Sequence, residues 1–148
     1  AGISVYGASP AQSKSSSVLN LKPVMTLQTQ IIAIHNLSKG QSVGYGTRFK
    51  CDRDKKIGVA AIGYGDGYSR TIKDGAPILV NGVKCSIAGR VSMDMITIDL
   101  ENYLNAKIGD SVTLWGDGLP IDEVAKFSSC VSYDLFCGIQ NRVKYVWN

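Results

Sequence analysis

The chain is poor in the residues from which metal and disulfide sites are built. It has one histidine among its 148 residues, so a zinc site is not expected. Its four cysteines include no Cys-x-x-Cys pair, and a chain with this much core-forming sequence does not need a disulfide framework. We therefore expect no metal, and reduced thiols in a cytoplasmic protein, at Cys51, Cys85, Cys130 and Cys137.

Long apolar runs and dense basic clusters are also missing. No stretch approaches the length of a membrane span, and the start is neither basic nor followed by an apolar segment. We therefore expect no membrane association and no signal peptide. The net charge is +4, but the lysines and arginines are scattered along the chain, which argues against nucleic acid as a partner.

The remaining composition is typical of a globular, β-rich protein. Hydrophobic residues make up 45% and charged residues 19%, which excludes a disordered chain. The 16 glycines indicate many tight turns. The length fits one domain, residues 1–148, with a core large enough to fold alone.

Short alternating or apolar stretches predict strands separated by turns. The strongest local signal is Asn81-Gly82, which tolerates the positive φ angles of a two-residue type I′ turn and predicts a hairpin between 77–80 and 83–87. Residues 1–7 have the pattern of the end of a strand. Further strands are predicted at 24–37, 57–62, 95–100, 111–115 and 142–147.

A helical period appears only near the C-terminus. Apolar residues recur at helical spacing over 121–125, with acidic residues in the first turn, where the helix dipole favours them. A second short helix is predicted over 131–139, with Ser132 as a candidate cap. Together the patterns predict a mainly β fold, a small Greek-key β-barrel with one or two short helices near the C-terminus.

Two glycine-rich segments are more distinctive than the rest of the sequence. They are Gly63-Tyr64-Gly65-Asp66-Gly67-Tyr68-Ser69-Arg70 and Gly89-Arg90-Val91-Ser92-Met93-Asp94-Met95. With segments 21–27, 43–46, 109–116 and 132–135 they occur in the order and spacing of the C-terminal domain of alanine racemases, and the resemblance covers essentially the whole chain. Alanine racemases are pyridoxal phosphate enzymes that interconvert L-alanine and D-alanine for peptidoglycan synthesis.

The resemblance implies that two different residues transfer protons, one on each face of the substrate. Racemisation removes the α-proton from one face of an amino acid and returns a proton to the other, so two acid/base groups are needed around an electron sink. In the family one group is the lysine that also holds the cofactor, and the other matches Tyr45 here. A tyrosine has an ordinary pKa of about 10, so it acts as a base only where the site stabilises the phenolate. By local sequence alone, Tyr45 is better interpreted as a half-buried strand aromatic, and the surrounding series of motifs reverses that interpretation.

The resemblance also implies a substrate site on the two distinctive segments. The backbone amide of Met93 matches the group that holds the substrate carboxylate, although the side chain could be a core methionine. Tyr64, Arg70 and Arg90 match residues that line the substrate corridor. Arginine binds carboxylates well, but Arg90 could also be an ordinary ion-pair partner.

A third set of residues matches the family's cofactor-phosphate site. Tyr133 corresponds to a tyrosine that hydrogen-bonds the phosphate, and Gly2 and Ile3 to backbone amides that reach it. Helix-start packing is the alternative role for Tyr133. Asp66 is expected to fix a turn between glycines, and Asp94 to form a turn or a salt bridge.

The cofactor-binding barrel domain of alanine racemases has no counterpart in residues 1–148. No lysine lies in a segment like the cofactor-binding one, and the family's TIM-like barrel is larger than this chain. An arginine that faces the cofactor ring is expected just before Ala1, so the chain has the look of a fragment. We expect it to be inactive alone, to bind pyridoxal phosphate weakly or not at all, and to act in a homodimer with its own barrel and that of a second subunit.

Two other interpretations remain open from the sequence. The chain could belong to another amino-acid racemase, such as one for serine, because side-chain selection depends on contacts that the sequence does not specify. It could also be a stand-alone β domain used for binding or assembly. The abrupt start at Ala1 favours the racemase interpretation.

Overall fold

A computed structural model of the chain describes residues 2–11 and 16–147. These residues form eight strands and two short α-helices. They are β1 (Leu27–Leu37), β2 (Ser42–Val43), β3 (Phe49–Lys50), β4 (Lys55–Ala60), β5 (Pro77–Val80), β6 (Val83–Ile87), β7 (Ile96–Asp99), β8 (Ser111–Trp115), α1 (Ile121–Ala125) and α2 (Ser132–Cys137). Short 3-10 helices lie at Gly2–Tyr6 and Tyr64–Asp66, and a turn with a non-helical Gly46 lies at Tyr45–Thr47.

Six of the strands in the described chain close into an antiparallel barrel in the order β1-β4-β7-β6-β5-β8. Strands β5, β6 and β7 pair with their neighbours in sequence, whereas β4 pairs with β7 rather than with β5. This crossover is the Greek-key arrangement expected from the short strands, so the predicted fold class is confirmed. β2 and β3 form a separate ribbon next to the barrel.

The core fills the barrel and extends under the two helices. Its largest fully buried side chain is Trp115, at the end of β8, which stacks on Tyr68 with ring centroids 5.8 Å apart. Helix α1 packs Ile121 and Val124 into the same core, and α2 contributes Leu135. The segment after α2 lies against the Tyr64 turn, because the Gln140 N–H donates to Asp66 O at 3.0 Å.

Several predicted elements are confirmed with small shifts at their ends. β8 spans the predicted residues, and α1 and α2 lie within their predicted ranges. The β5-β6 hairpin turns at Asn81 and Gly82, whose φ angles of 47° and 79° are both positive, as a type I′ turn requires. β4 has the predicted length but is shifted by two residues, since it spans Lys55–Ala60 rather than 57–62.

The prediction for residues 1–7 was wrong, because Gly2–Tyr6 forms a 3-10 helix. Gly7 has a φ of 86° and donates its N–H to Ser4 O, which closes the turn. The long strand begins at Leu27 rather than at residue 24, because its ladder with β8 starts at the Leu27–Trp115 pair. Val24 instead donates to Tyr6 O.

The predicted strand at 142–147 is also absent from the structure. Closure of the barrel leaves its six strands without a free edge for another strand. Arg142 is held by two carboxylates, and the side chain of Trp147 is 89% exposed. Ser132 is not a cap either: it is the first residue of α2, and its hydroxyl donates to Asp122 Oδ1.

Among the described residues no helix is long and apolar enough to cross a membrane. The four cysteines are free thiols, two of them buried.

The buried thiol of Cys85 predicts a loss of stability at high pH. Burial raises its pKa from 9.0 to about 11. Between these values the unfolded chain has released the proton that the folded chain keeps, so the free energy of unfolding falls as pH rises, by about 1 kcal/mol per pH unit. Urea unfolding from pH 8 to 11 should show this slope, which Cys85→Ala should flatten and the exposed-thiol variant Cys137→Ala should not. Equal slopes in both variants would contradict the assignment.

Candidate functional site

The two distinctive segments are bonded to each other through their backbones. The N–H of Tyr64 donates to Ser92 O at 3.0 Å, and the N–H of Gly65 donates to Met93 O at 2.8 Å. This contact needs glycine on one side. A Cβ on Gly63 would overlap the Ser92 and Met93 carbonyl groups, and one on Gly65 would lie 2.9 Å from Met93 O. The glycines that identify the motif therefore serve close backbone approach.

The loop that carries Met93 is closed by its own serine. The Ser92 hydroxyl donates to Met95 O at 2.7 Å and accepts the Met95 N–H at 3.1 Å, and the Ser92 N–H also reaches Met95 O. The Met93 N–H makes no hydrogen bond within the described part of the chain. The loop thus holds a backbone N–H in a fixed position, where it could donate a hydrogen bond to an anion.

All four residues predicted for the substrate site meet at one cleft. Its volume is about 340 Å³, and it is lined by Tyr64, Arg70, Arg90, Met93 and their neighbours along residues 91–95. The Met93 side chain is 53% exposed, so the alternative of a core methionine was wrong. Segments that are about 25 positions apart in sequence are brought to one surface by the paired Tyr64 and Met93 loops.

The cleft is electrostatically suited to an anion. Arg70 lies over the ring of Tyr64, with its guanidinium carbon 5.6 Å from the ring centroid, a cation–π contact that orients both side chains. Arg90 forms no ion pair with any described residue. The carboxylate among the lining residues, Asp94, pairs with Arg142 instead. Among the described residues, no carboxylate pairs with either of the two arginines that line the cleft, Arg70 and Arg90.

Tyr45 lies in a turn of unusual backbone conformation. Gly44 and Gly46 have φ angles of 74° and 77°, which favour glycine, and the β-branched Thr47 has a φ of 49°. A Cβ on Gly44 would lie 3.6 Å from Arg90 N, so this turn borders the cleft. The side chain of Tyr45 lies outside what the structure describes.

The predicted phosphate residues form a second group. The N–H of Ile3 donates to the hydroxyl of Tyr133 at 3.4 Å, and a Cβ on Gly2 would lie 3.4 Å from the same oxygen. Tyr133 is 51% exposed, which argues against a packing role at the start of α2. Asp122 holds the two segments together, because it accepts both the Ser9 N–H and the Ser132 hydroxyl.

The described residues contain no group of three or more histidine, cysteine, aspartate or glutamate side chains placed to hold a metal ion.

Comparison with known proteins gives one consistent result. A family model described as alanine racemase, C-terminal domain, matches residues 24–147. The alanine racemase of Nitrosococcus oceani is 49% identical over 142 residues, which are 96% of this chain and 40% of that protein. The crystal structure of biosynthetic alanine racemase from Pseudomonas aeruginosa superposes with a TM-score of 0.93 at 44% identity, and covers 96% of this chain and 40% of that one.

The chain belongs to the alanine racemase C-terminal domain family. It spans about 40% of the length of the Nitrosococcus racemase. A shorter relative, the alanine racemase of Piscirickettsia salmonis, is 43% identical over 146 residues, which are 99% of this chain and 88% of that protein. These matches do not favour a stand-alone binding domain or a racemase of another specificity.

Sequence reasoning assigned no role to one residue of this racemase-family domain. Arg142 forms two bonds with Asp66, Nε to Oδ1 at 2.7 Å and Nη2 to Oδ2 at 3.1 Å, and its Nη2 also reaches Asp94 Oδ1 at 2.6 Å. Asp66 accepts the Gly63 N–H as well, so it does fix the predicted turn. No local signal singled out Arg142, because its partners are 48 and 76 positions away in sequence.

Proposed function

We propose that this chain is the C-terminal β domain of an alanine racemase, which interconverts L-alanine and D-alanine and so supplies D-alanine for peptidoglycan. The observation that carries the proposal is the convergence of Tyr64, Arg70, Arg90 and the free Met93 amide on one cleft. The membership of the chain in the racemase domain family supports it.

Tyr45 is the proposed acid/base group for the L-isomer. Its phenolate oxygen takes the proton from the α-carbon of L-alanine and so becomes a phenol, which returns the proton in the reverse direction. The glycines on either side leave the turn open to close approach by substrate. Arg90, whose backbone lies beside Gly44, brings positive charge to this part of the site, which favours the phenolate that a tyrosine base requires.

The cleft is the proposed path and anchor for the substrate carboxylate. The Met93 N–H donates to the carboxylate, and its orientation is set by the Ser92–Met95 hydrogen bonds. Arg70 and Arg90 attract the carboxylate along the corridor, because neither is paired with a carboxylate in the described part of the chain and their charges create a positive potential in the cleft. Tyr64 narrows the corridor beside Arg70.

The resemblance implies pyridoxal 5′-phosphate as the cofactor, which when bound supplies the electron sink for loss of the α-proton. The residues present suit its phosphate. The Tyr133 hydroxyl accepts the Ile3 N–H and so keeps its own hydrogen for donation to an anion. The absence of a side chain on Gly2 leaves space at the same oxygen. The lysine that complements Tyr45 is expected in the barrel domain.

The proposed partners are alanine, the barrel domain of the same polypeptide and the barrel of a second subunit in a homodimer. The exposed apolar side chains of Val5, Tyr6 and Trp147 suit contacts of this kind. We place the enzyme in the cytoplasm, which the four free thiols support.

A racemisation assay tests the proposal directly. The full-length protein that carries this domain should convert L-alanine to D-alanine in the presence of pyridoxal phosphate, and the 148-residue chain alone should not, because it lacks the second acid/base group. Serine and other amino acids should be assayed in parallel. A full-length protein that racemises serine but not alanine would contradict the proposal that alanine is the substrate. Turnover by the isolated chain would contradict the assignment of the second acid/base group to the barrel domain.

A further inference from the structure

We propose that Arg142 is a positioning residue for the substrate-carboxylate site, acting through Asp94 and Asp66 on the Met93 loop. The inference rests on the proposed function, since it concerns the amide that we assign to the carboxylate. It adds a third chain segment, after α2, to a site that the two glycine-rich segments alone do not complete.

The first observation is the contact geometry. The guanidinium of Arg142 makes a two-point contact with Asp66, on the Tyr64 turn, and a single bond to Asp94, the residue after Met93. Its Nη2 also lies 3.5 Å from Met93 O. Since planar, two-point pairing restricts both partners, Arg142 fixes the Tyr64 turn and the Met93 loop relative to each other.

The second observation is that the surrounding backbone leaves space for this side chain. A Cβ on Gly65 would lie 2.8 Å from Arg142 Nη2. Just before Arg142, the chain is held against the same turn, because the Gln140 N–H donates to Asp66 O at 3.0 Å. Contacts of its own segment and the space beside Gly65 on the Tyr64 turn together fix the position of Arg142.

The third observation is charge. Asp66 and Asp94 place two carboxylates next to an amide that is to receive the carboxylate of a substrate. Arg142 carries a positive charge that compensates them, as any arginine does at neutral pH, and hydrogen bonds to Asp66 and then Asp94 hold its pKa above the ordinary value. Without Arg142, the negative charges of Asp66 and Asp94 would repel the substrate carboxylate. Because these carboxylates are partly exposed to solvent, added salt would screen the repulsion.

These observations predict a defect in binding rather than in proton transfer. Arg142→Ala in the full-length racemase should raise the KM for alanine about tenfold with kcat within about twofold of wild type. The KM defect should shrink as salt is added, a response that a purely structural role would not produce. Arg142→Lys, which keeps the charge but not the two-point geometry, should raise KM by only about threefold.

Arg53→Ala is the matched control. Arg53 also bridges two carboxylates, Asp52 at 3.2 Å and Glu101 at 3.1 Å, but neither of them belongs to the Tyr64 turn or the Met93 loop. Its loss should leave KM unchanged at every salt concentration. Circular dichroism should first establish that each variant is folded.

The outcomes separate this inference from the proposed function. If the wild-type full-length protein does not racemise alanine, the proposed function fails. If the wild type is active and Arg142→Ala has the wild-type KM, or loses kcat alone, only the role of Arg142 is overturned. Should Arg142→Ala not fold, Arg142→Lys decides, and a wild-type KM in that variant overturns the role.

Discussion

Tyr45→Phe in the full-length racemase should lower the rate of α-proton removal from L-alanine by about 10²–10⁴-fold, the usual contribution of a general acid/base group. Phenylalanine keeps the ring and removes only the hydroxyl that carries the proton. The turn itself should be undisturbed, because its conformation depends on the flanking glycines, with φ angles of 74° and 77°.

Exchange with deuterated water distinguishes this role from a general loss of activity. In the proposed function the second acid/base group serves the D-isomer, so D-alanine should still exchange its α-hydrogen while L-alanine does not. Nuclear magnetic resonance of each enantiomer in D₂O measures both rates. Wild-type exchange from L-alanine in the variant would rule out Tyr45 as the base.

Tyr103→Phe is a suitable control for this experiment. Tyr103 also loses one hydroxyl, which is near Asn81 Nδ2 at 3.4 Å, and it does not line the cleft. Its replacement should leave both exchange rates unchanged.

Gly63→Ala should both destabilise the domain and weaken substrate binding. Gly63 has a φ of −153°, which alanine adopts without strain, so the effect comes from overlap between the new Cβ and the Ser92 and Met93 carbonyl groups. Because these are backbone atoms, the two loops must separate, at a cost of about 1–3 kcal/mol in the free energy of unfolding. The displaced Met93 amide should then raise the KM for alanine.

Urea unfolding and steady-state kinetics measure the two effects, and Gly40→Ala is the control. Gly40 has a φ of 90°, but a Cβ added there would have no neighbour within 4 Å, so its variant carries only backbone strain, about 1 kcal/mol. It should lose stability without a change in KM. If Gly63→Ala also left KM unchanged, the paired loops would not position the substrate amide.

Local sequence was sufficient where structure depends on neighbouring residues. Asn81-Gly82 predicted its hairpin because positive φ angles are a property of those two residues. The apolar spacing over 121–125 predicted α1 for the same reason. The glycines at 63 and 65 also indicated close approach, although the sequence did not show that the approaching group is the backbone of Ser92 and Met93.

Long-range pairing decided the rest. Residues 142–147 have a strand-like pattern, but the pairing of β1 with both β4 and β8 closes the barrel, so the barrel offers them no edge. Tyr133 and Ile3 meet across 130 positions of sequence, and Arg142 reaches Asp66 across 76. The sequence by itself determined the hairpin, the short helices and, through its motifs, the family. The tertiary structure alone assembled the cleft and brought in Arg142, because contacts between distant segments depend on how the whole barrel closes and not on the periodicity of any one segment.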